Sequence, residues 1–383
     1  MQRLKNLTRR TLASAAALGV LLGGTLVAVA SAGPANSDVV PTSLQKDADA
    51  LVAGGVPGVV VITRRDERIG QITAGLANTG AQTPMRAEDR FRTGSLTKTY
   101  VATVVLQLVA EGKFALDDSV ERWLPGIVPN GNRITIRQLL NHSSGLPEFD
   151  QDPRVLKPYL AGNLSYHWSP RALVKIALTH KSLFAPGDRY SYSNTNYLIV
   201  GLIVEAASGH SLATELKQRI FTPLHLRATS FQTRPGLSGR YAHGYFTIGK
   251  PPAADISGLS PYPWAAGAIV ANGADTATFY RALLRGKLLH GAQLREMKTT
   301  LSEGSKSDLP GSRYGLGLES QRLSCGRAWG HGGNFPGYLA YTLTSNNGNR
   351  QAVVLLNEDP SSLPKSLGPR FFKLLEKAYC NPA

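Results

Sequence analysis

Strand-forming segments stand at both ends of the 383-residue chain, and a long helix-forming stretch separates them. Gly58–Arg65 (Gly-Val-Val-Val-Ile-Thr-Arg-Arg) and Arg68–Ala74 read as two strands around a turn at Asp66-Glu67. Towards the other end, Tyr314–Leu318, Gly337–Thr344 and Gln351–Leu356 read as strands, the last two joined through Asn347-Gly348. In between, Leu96–Glu111 sets Val101, Val104, Val105, Leu108 and Val109 on one face and stops at Gly112. Thr135–Leu140, Ala172–Thr179 and Tyr197–Ala207 continue the helical pattern, while Thr42–Val52 and Phe371–Ala378 are helical segments at the two ends. This order predicts an α/β (α+β) fold: one antiparallel sheet completed from the N- and C-terminal segments, flanking helices, and a mostly helical inserted region. The single domain expected over residues 33–383 divides into an α/β part, about 38–93 and 240–383, and a helical part, about 94–239.

The first residues read as an address and not as fold. Arg3, Lys5, Arg9 and Arg10 precede an apolar run from Leu12 to Val29, and Ala30-Ser31-Ala32 has the small-x-small form of a signal-peptidase site. Gly19, Gly23 and Gly24 dilute the run and no stop-transfer cluster follows, so we expect a signal peptide at 1–32, a secreted protein and no stable membrane anchor. The arginine pair in Thr8–Leu12 also matches a twin-arginine signal, which leaves the export route open. Loss of those four cations lowers the formal charge from +16 to +12. Lys and Arg are not gathered into one tract, which argues against a nucleic-acid partner.

An even pair of cysteines, Cys325 and Cys380, in an exported chain favours one disulfide. Neither CxxC nor HExxH occurs and the eight histidines are scattered, so we expect no metal and no cofactor.

Gly94-Ser95-Leu96-Thr97-Lys98 falls at the start of the Leu96–Glu111 helix. Residues three apart share a helix face, so the Lys98 amine can reach the Ser95 hydroxyl. A serine needs such a base, and burial favours the neutral, basic form of a lysine. The helix N-terminus adds N–H groups for a developing oxyanion. Spacing alone does not decide the matter, since Ser43–Lys46 and Ser362–Lys365 carry the same pattern. The last of these contains Pro364, and the first belongs to a surface helix near the start of the mature chain. Tyr192-Ser193-Asn194 lies on a loop after the Pro186-Gly187 turn; Tyr192 is placed to exchange a proton with Ser95, and Asn194 to hold the lysine and a substrate amide. His331-Gly332-Gly333 precedes the strand around Tyr338–Thr344, with glycines that admit a substrate backbone and a histidine expected at the cleft rim.

The order Ser-x-x-Lys, Tyr-Ser-Asn, His-x-Gly resembles the penicillin-recognising serine enzymes. It is similar to the class C β-lactamase branch and its soluble D-alanyl-D-alanine carboxypeptidase relatives, and differs from the class A set of SxxK, SDN and KTG. Phe91–Ser95, Leu140-Asn141-His142-Ser143-Ser144-Gly145-Leu146, Tyr190–Tyr197, Ala265–Ala268 after Trp264, Tyr314–Leu318 and the Cys325/Cys380 pair carry the likeness across roughly residues 38–381. The resemblance implies Ser95 as nucleophile, Lys98 as base, Tyr192 as proton shuttle, Asn194 and His331 as further site residues, and the backbone amides of Ser95 and Asn334 as oxyanion hole. It implies Trp264 as a wall of the acyl pocket and Gly332 and Gly333 as substrate contacts. No GxSxG elbow occurs, against an α/β-hydrolase.

One departure bears on specificity. The carboxypeptidases of this group hold a terminal carboxylate with a hydroxyl inside His-x-Gly, a threonine after it and an arginine after Tyr-Gly-Leu-Gly-Leu; here those positions are Gly332, Asn334 and Glu319, with Arg322 and Arg327 as substitutes. The resemblance therefore implies a secreted, monomeric DD-peptidase-like enzyme acting on D-amino-acid peptides, including peptidoglycan-derived ones, and acylated by β-lactams. D-amino-acid amidase, esterase and β-lactamase stand as alternatives within the enzymes, and a non-catalytic penicillin sensor stands outside them.

Overall fold

The valine-rich segment at Gly58–Arg65 is buried along nearly its whole length, because both faces of its strand are covered. Val60 and Ile62 enter one hydrophobic core, and Val59 and Val61 enter a second on the opposite face. The strand reads as a continuous apolar run for that reason; alternation appears only where one face meets water.

The computed structural model describes residues 42–247, 253–302, 311–362 and 364–381; the expected signal peptide lies outside them. Strands β1 (Gly58–Arg65), β2 (Arg68–Asn78) and β3 (Thr83–Pro84) come first. The short strands β4 (Phe91–Arg92), β5 (Ser230–Phe231), β6 (Tyr245–Phe246), β7 (Ala254–Asp255) and β8 (Ile269–Ala271) make two small sheets. Then β9 (Leu301–Ser302), β10 (Arg313–Tyr314), β11 (Glu319–Leu323), β12 (Gly326–Phe335), β13 (Tyr338–Thr344) and β14 (Arg350–Leu356) complete a nine-stranded antiparallel sheet with β1–β3. Its order is β3-β2-β1-β14-β13-β12-β11-β10-β9, so β1 pairs with β14 and the two ends of the chain meet in mid-sheet, Val59 opposite Leu356.

Helix α1 (Thr42–Ala53) packs on one face of that sheet together with the last helix. The inserted region holds α2 (Thr97–Ala110), α3 (Val120–Trp123), α4 (Ile136–Leu140), α5 (Pro153–Leu160), α6 (Pro170–Ala177), α7 (Asn194–Ser208) and α8 (Leu212–Leu216). Helices α9 (Gly273–Leu284), α10 (Gly291–Met297) and α11 (Leu367–Cys380) follow, with α9 on the sheet face opposite α1 and α11. The α/β fold expected from the order of segments is the fold observed.

Two local expectations are corrected. Helix α2 is not one-sided: every residue from Thr97 to Leu106 is buried, because the sheet half and the helical half close around it. The strand expected over Tyr314–Leu318 stops after Tyr314, since Gly317 takes φ +69° and a Cβ on Gly315 would lie 2.1 Å from the Met297 carbonyl oxygen. The His331-Gly332-Gly333 triplet precedes the strand over Tyr338–Thr344, β13, as expected, and itself lies in a strand, β12.

Candidate active site

The Ser95 position is set by a turn that calls for a glycine. Gly94 adopts φ +52° and opens a 3-10 turn, Gly94–Leu96, that leads directly into α2. A Cβ on Gly94 would stand 2.4 Å from the carbonyl oxygen and 2.8 Å from the nitrogen of Asn334. On the facing strand, a Cβ on Gly333 would stand 2.1 Å from the Thr93 carbonyl oxygen. The two glycines thus let β12 lie against the turn, which brings the backbone of Asn334 next to Ser95. Pairing of β12 with β11 ends at Gly330, while pairing with β13 runs on to Phe335, so residues 331–335 extend beyond β11.

Ser95 is half-buried and Lys98, one helical turn on, is fully buried. Lys98 Nζ lies 2.9 Å from Ser95 Oγ, 2.6 Å from Asn194 Oδ1 and 2.9 Å from the Ala266 carbonyl oxygen. Two of those three neighbours can only accept, so a neutral lysine spends its two N–H bonds on them and turns its lone pair towards the serine hydroxyl. Burial lowers the Lys98 pKa to about 7, against the opposing pull of Glu148, Asp150 and Glu319. Tyr192 Oη donates to Ser95 Oγ at 2.8 Å, and burial pushes this phenol well above its usual range. Of the two groups on Ser95 Oγ, Lys98 and not the phenol can therefore lose its proton near neutrality.

Asn194 begins α7 rather than lying on a loop before it. Its backbone N–H donates to Glu148 Oε2 at 2.5 Å, and its side-chain amide donates to Asp150 Oδ2 at 3.1 Å. Both residues are half-buried, and desolvation raises the pKa of each carboxyl. His142, fully buried, packs against Tyr192 with ring centroids 4.3 Å apart. Its Nδ1 accepts from the Ser193 N–H and the Asn196 amide, both at 3.2 Å, and burial holds the ring neutral.

His331 is not at a rim: it is 1% exposed. Its Nδ1 lies 2.5 Å from the Gly332 carbonyl oxygen and must donate there, so Nε2 accepts from Tyr314 Oη at 2.7 Å. Burial and the charge of Lys98 lower its pKa to about 3. Glu319 Oε1 sits 3.4 Å from that Nδ1, and Glu319 Oε2 accepts from Tyr341 Oη at 3.3 Å. A Cβ on Gly332 would meet Tyr341 Cε2 at 2.6 Å, so the tyrosine ring fills the place of a side chain at 332.

These groups border one cavity of about 1180 Å³, whose wall includes Ser95, Asp150, Tyr192, Asn194, Glu319 and Asn334. Trp264 is not part of it. That residue packs against Gly201 of α7, and Tyr262 and Pro263 take its place on the cavity wall. Arg322 and Arg327 are exposed partners on β11 and β12 and do not line the cavity; Arg327 donates to Ser320 Oγ at 2.6 Å. Arg189 does line it, with its guanidinium on the Leu183 carbonyl at 3.2 Å. Cys325 and Cys380 are joined, with Cα atoms 5.6 Å apart, and so anchor the end of α11 to the β11–β12 turn.

The sequence reading missed His142, Glu148, Asp150, Tyr262 and Tyr341. His142 was within reach, since it sits in the Leu140–Leu146 stretch and takes φ +60°. The acids and the tyrosines carry no local pattern and acquire meaning only through folding.

Comparison with known proteins places this geometry in context. A penicillin-binding protein of Bacillus subtilis (strain 168) is 27% identical over 303 residues, 74% of this chain and 64% of that protein's length. A D-stereospecific amidohydrolase from Streptomyces sp. superposes with TM-score 0.81 at 36% identity, covering 89% of this chain and 99% of that one. A D-amino acid amidase from Ochrobactrum anthropi SV3, solved with L-phenylalanine, superposes with TM-score 0.77 at 26% identity, covering 88% and 98%. The β-lactamase family model matches residues 44–370, and with the Ser95–Lys98–Tyr192 cluster in place the chain belongs to the β-lactamase family of serine hydrolases.

Proposed function

We propose that this chain hydrolyses D-amino-acid amides and related esters or short peptides through a Ser95 acyl-enzyme, that β-lactams acylate the same serine, and that the enzyme works outside the cell. The observation that carries the substrate class is the pair Glu319 and Tyr341 beside Gly332, where the carboxypeptidase pattern has a hydroxyl and an arginine. A leaving group with a free carboxylate meets a like charge there, at a cost of about 1 kcal/mol if wet and several if desolvated. An amide or ester carries no such charge. The amidohydrolase and the amidase among the similar structures support the same class. On the other flank, Asp150 lines the cavity beside Asn194 and offers a carboxyl to an α-amino group on the acyl portion.

In the reaction, neutral Lys98 takes the proton of Ser95 Oγ as Oγ bonds to the carbonyl carbon. The carbonyl oxygen becomes an oxyanion held by the backbone amides of Ser95 and Asn334. Collapse breaks the C–N or C–O bond, and the departing atom takes a proton from Tyr192, which is restored from the Lys98 ammonium. Acylation thus ends with neutral Lys98, a neutral phenol and the Ser95 ester. Water repeats the path: its proton goes to Lys98, its oxygen attacks the ester carbon, and Oγ regains a proton as the acid leaves. Export is supported by the pattern of residues 1–32 and by the Cys325–Cys380 bridge, which suits an oxidising compartment.

A carboxypeptidase reading is favoured by one observation, Arg189 on the cavity wall. The test is kcat/KM for a D-alanyl-D-alanine peptide against its C-terminal amide. We expect the amide to be turned over at least as well, and Glu319→Arg to tilt the ratio towards the free acid. A strong free-acid preference that Arg189→Ala removes would overturn the proposal in favour of a carboxypeptidase.

A further inference from the structure

Tyr192 belongs to an irregular stretch, residues 190–193, yet its Oη stands 2.8 Å from Ser95 Oγ. One residue holds that stretch at three successive places. The His142 carbonyl oxygen accepts from the Ser191 N–H at 2.9 Å, and His142 Nδ1 accepts from the Ser193 N–H at 3.2 Å. Between those two bonds the imidazole lies against the Tyr192 ring, 31° from parallel.

His142 is itself fixed. It follows α4 at φ +60°, a left-handed conformation that histidine and asparagine adopt more readily than most side chains. Its buried ring is enclosed by Tyr190, Tyr197 and Tyr314, at centroid distances of 5.9, 5.4 and 4.7 Å. A second bond to Nδ1 comes from the Asn196 amide, whose oxygen is turned away because it accepts from Ser144 Oγ at 2.6 Å. Both groups facing Nδ1 are donors, so that nitrogen keeps its lone pair and the ring proton sits on Nε2. A second proton at Nδ1 would break both bonds. The ring therefore stays neutral while Lys98, whose Nζ is 4.8 Å from the centre of the Tyr192 ring, gains and loses its charge.

We infer that His142 is a positioning residue for Tyr192: it grips the residues on both sides of the tyrosine, and the ring itself, and so holds the phenol where it protonates the leaving group. The inference rests on the acyl-enzyme reading above and adds to it a residue that does not line the cavity.

Such a role makes the loss depend on what leaves. A methoxide must be protonated as it departs, whereas a nitrophenolate leaves without a proton. The test measures kcat/KM, which reports acylation, for the methyl and nitrophenyl esters of acetic acid. It compares wild type, His142→Phe and His142→Asn, each with Tyr192 and with Tyr192→Phe. His142→Phe keeps a ring but offers Ser193 and Asn196 no acceptor. His142→Asn keeps an acceptor and suits a positive φ, so it carries the test alone if the first variant does not fold, which circular dichroism checks. We expect the methyl-to-nitrophenyl ratio to fall roughly a hundredfold in His142→Phe, as for a misplaced group, and less in His142→Asn. Beside Tyr192→Phe neither substitution should lower it further. Equal losses on the two esters, or the same fall with Tyr192 already removed, would overturn the role of His142. Hydrolysis that survives Ser95→Ala would instead overturn the acyl-enzyme reading, and this role with it.

Discussion

The chain carries Ser-x-x-Lys on two helices, and the two copies differ in everything except spacing. In α1, Ser43 and Lys46 are both exposed. In the turn leading into α2, Ser95 is half-buried and Lys98 fully so, with a carboxamide, a backbone carbonyl and a phenol converging on them. A lysine in water keeps its proton far above neutrality and is no base for a serine. The comparison teaches that spacing supplies reach, and that desolvation with fixed acceptors supplies reactivity.

The sharpest way to break this contrast is to remove the lysine from each copy. Lys98→Met should lower kcat/KM by roughly 10²–10⁴, the usual contribution of a positioned base. Lys46→Met should leave activity alone and shift stability by less than about 0.5 kcal/mol. Equal effects on ester hydrolysis in the two variants would end the argument.

A second prediction probes the packing that separates the two sites. Gly333→Ala sets a methyl 2.1 Å from the Thr93 carbonyl oxygen and must push β12 away from the nucleophile turn. A misplacement of this kind costs roughly a hundredfold in rate. We expect that loss in kcat with the Cys325–Cys380 bridge still formed; an unimpaired variant would show that β12 does not position the reaction.

The sequence was most legible where chemistry is local. Ser95 and Lys98 are one turn apart, and a helix start fixes their relation whatever packs around them. The sheet was legible as strands at both chain ends, although not its order, because the pairing of β1 with β14 is a contact between residues nearly 300 positions apart. The acids on the Asn194 flank escaped for the same reason: Glu148 and Asp150 reach the site through a loop, and no periodicity marks them. Trp264 illustrates the opposite error. A large aromatic beside a recognised stretch looked like a pocket wall, but its ring packs against Gly201, and Tyr262 two residues earlier faces the cavity. The glycines after His331 read as room for a substrate backbone; in the fold they also provide close packing, Gly333 on Thr93 and Gly332 on Tyr341.

The central claim, that a desolvated Lys98 activates Ser95, is tested most directly by the pH dependence of acylation. Wild-type protein is incubated with a β-lactam and quenched at intervals, and the rate of mass gain on the Ser95-containing peptide is followed from pH 5 to pH 11. The Lys98 pKa is lowered from 10.5 to about 7, so its neutral form grows as pH rises through that value. The account predicts adduct on the Ser95 peptide, none on the Ser43 peptide, and a rate that climbs with a midpoint near 7 and then levels. A midpoint near 10.5, the value of a solvated lysine, or an adduct on any other residue would contradict it.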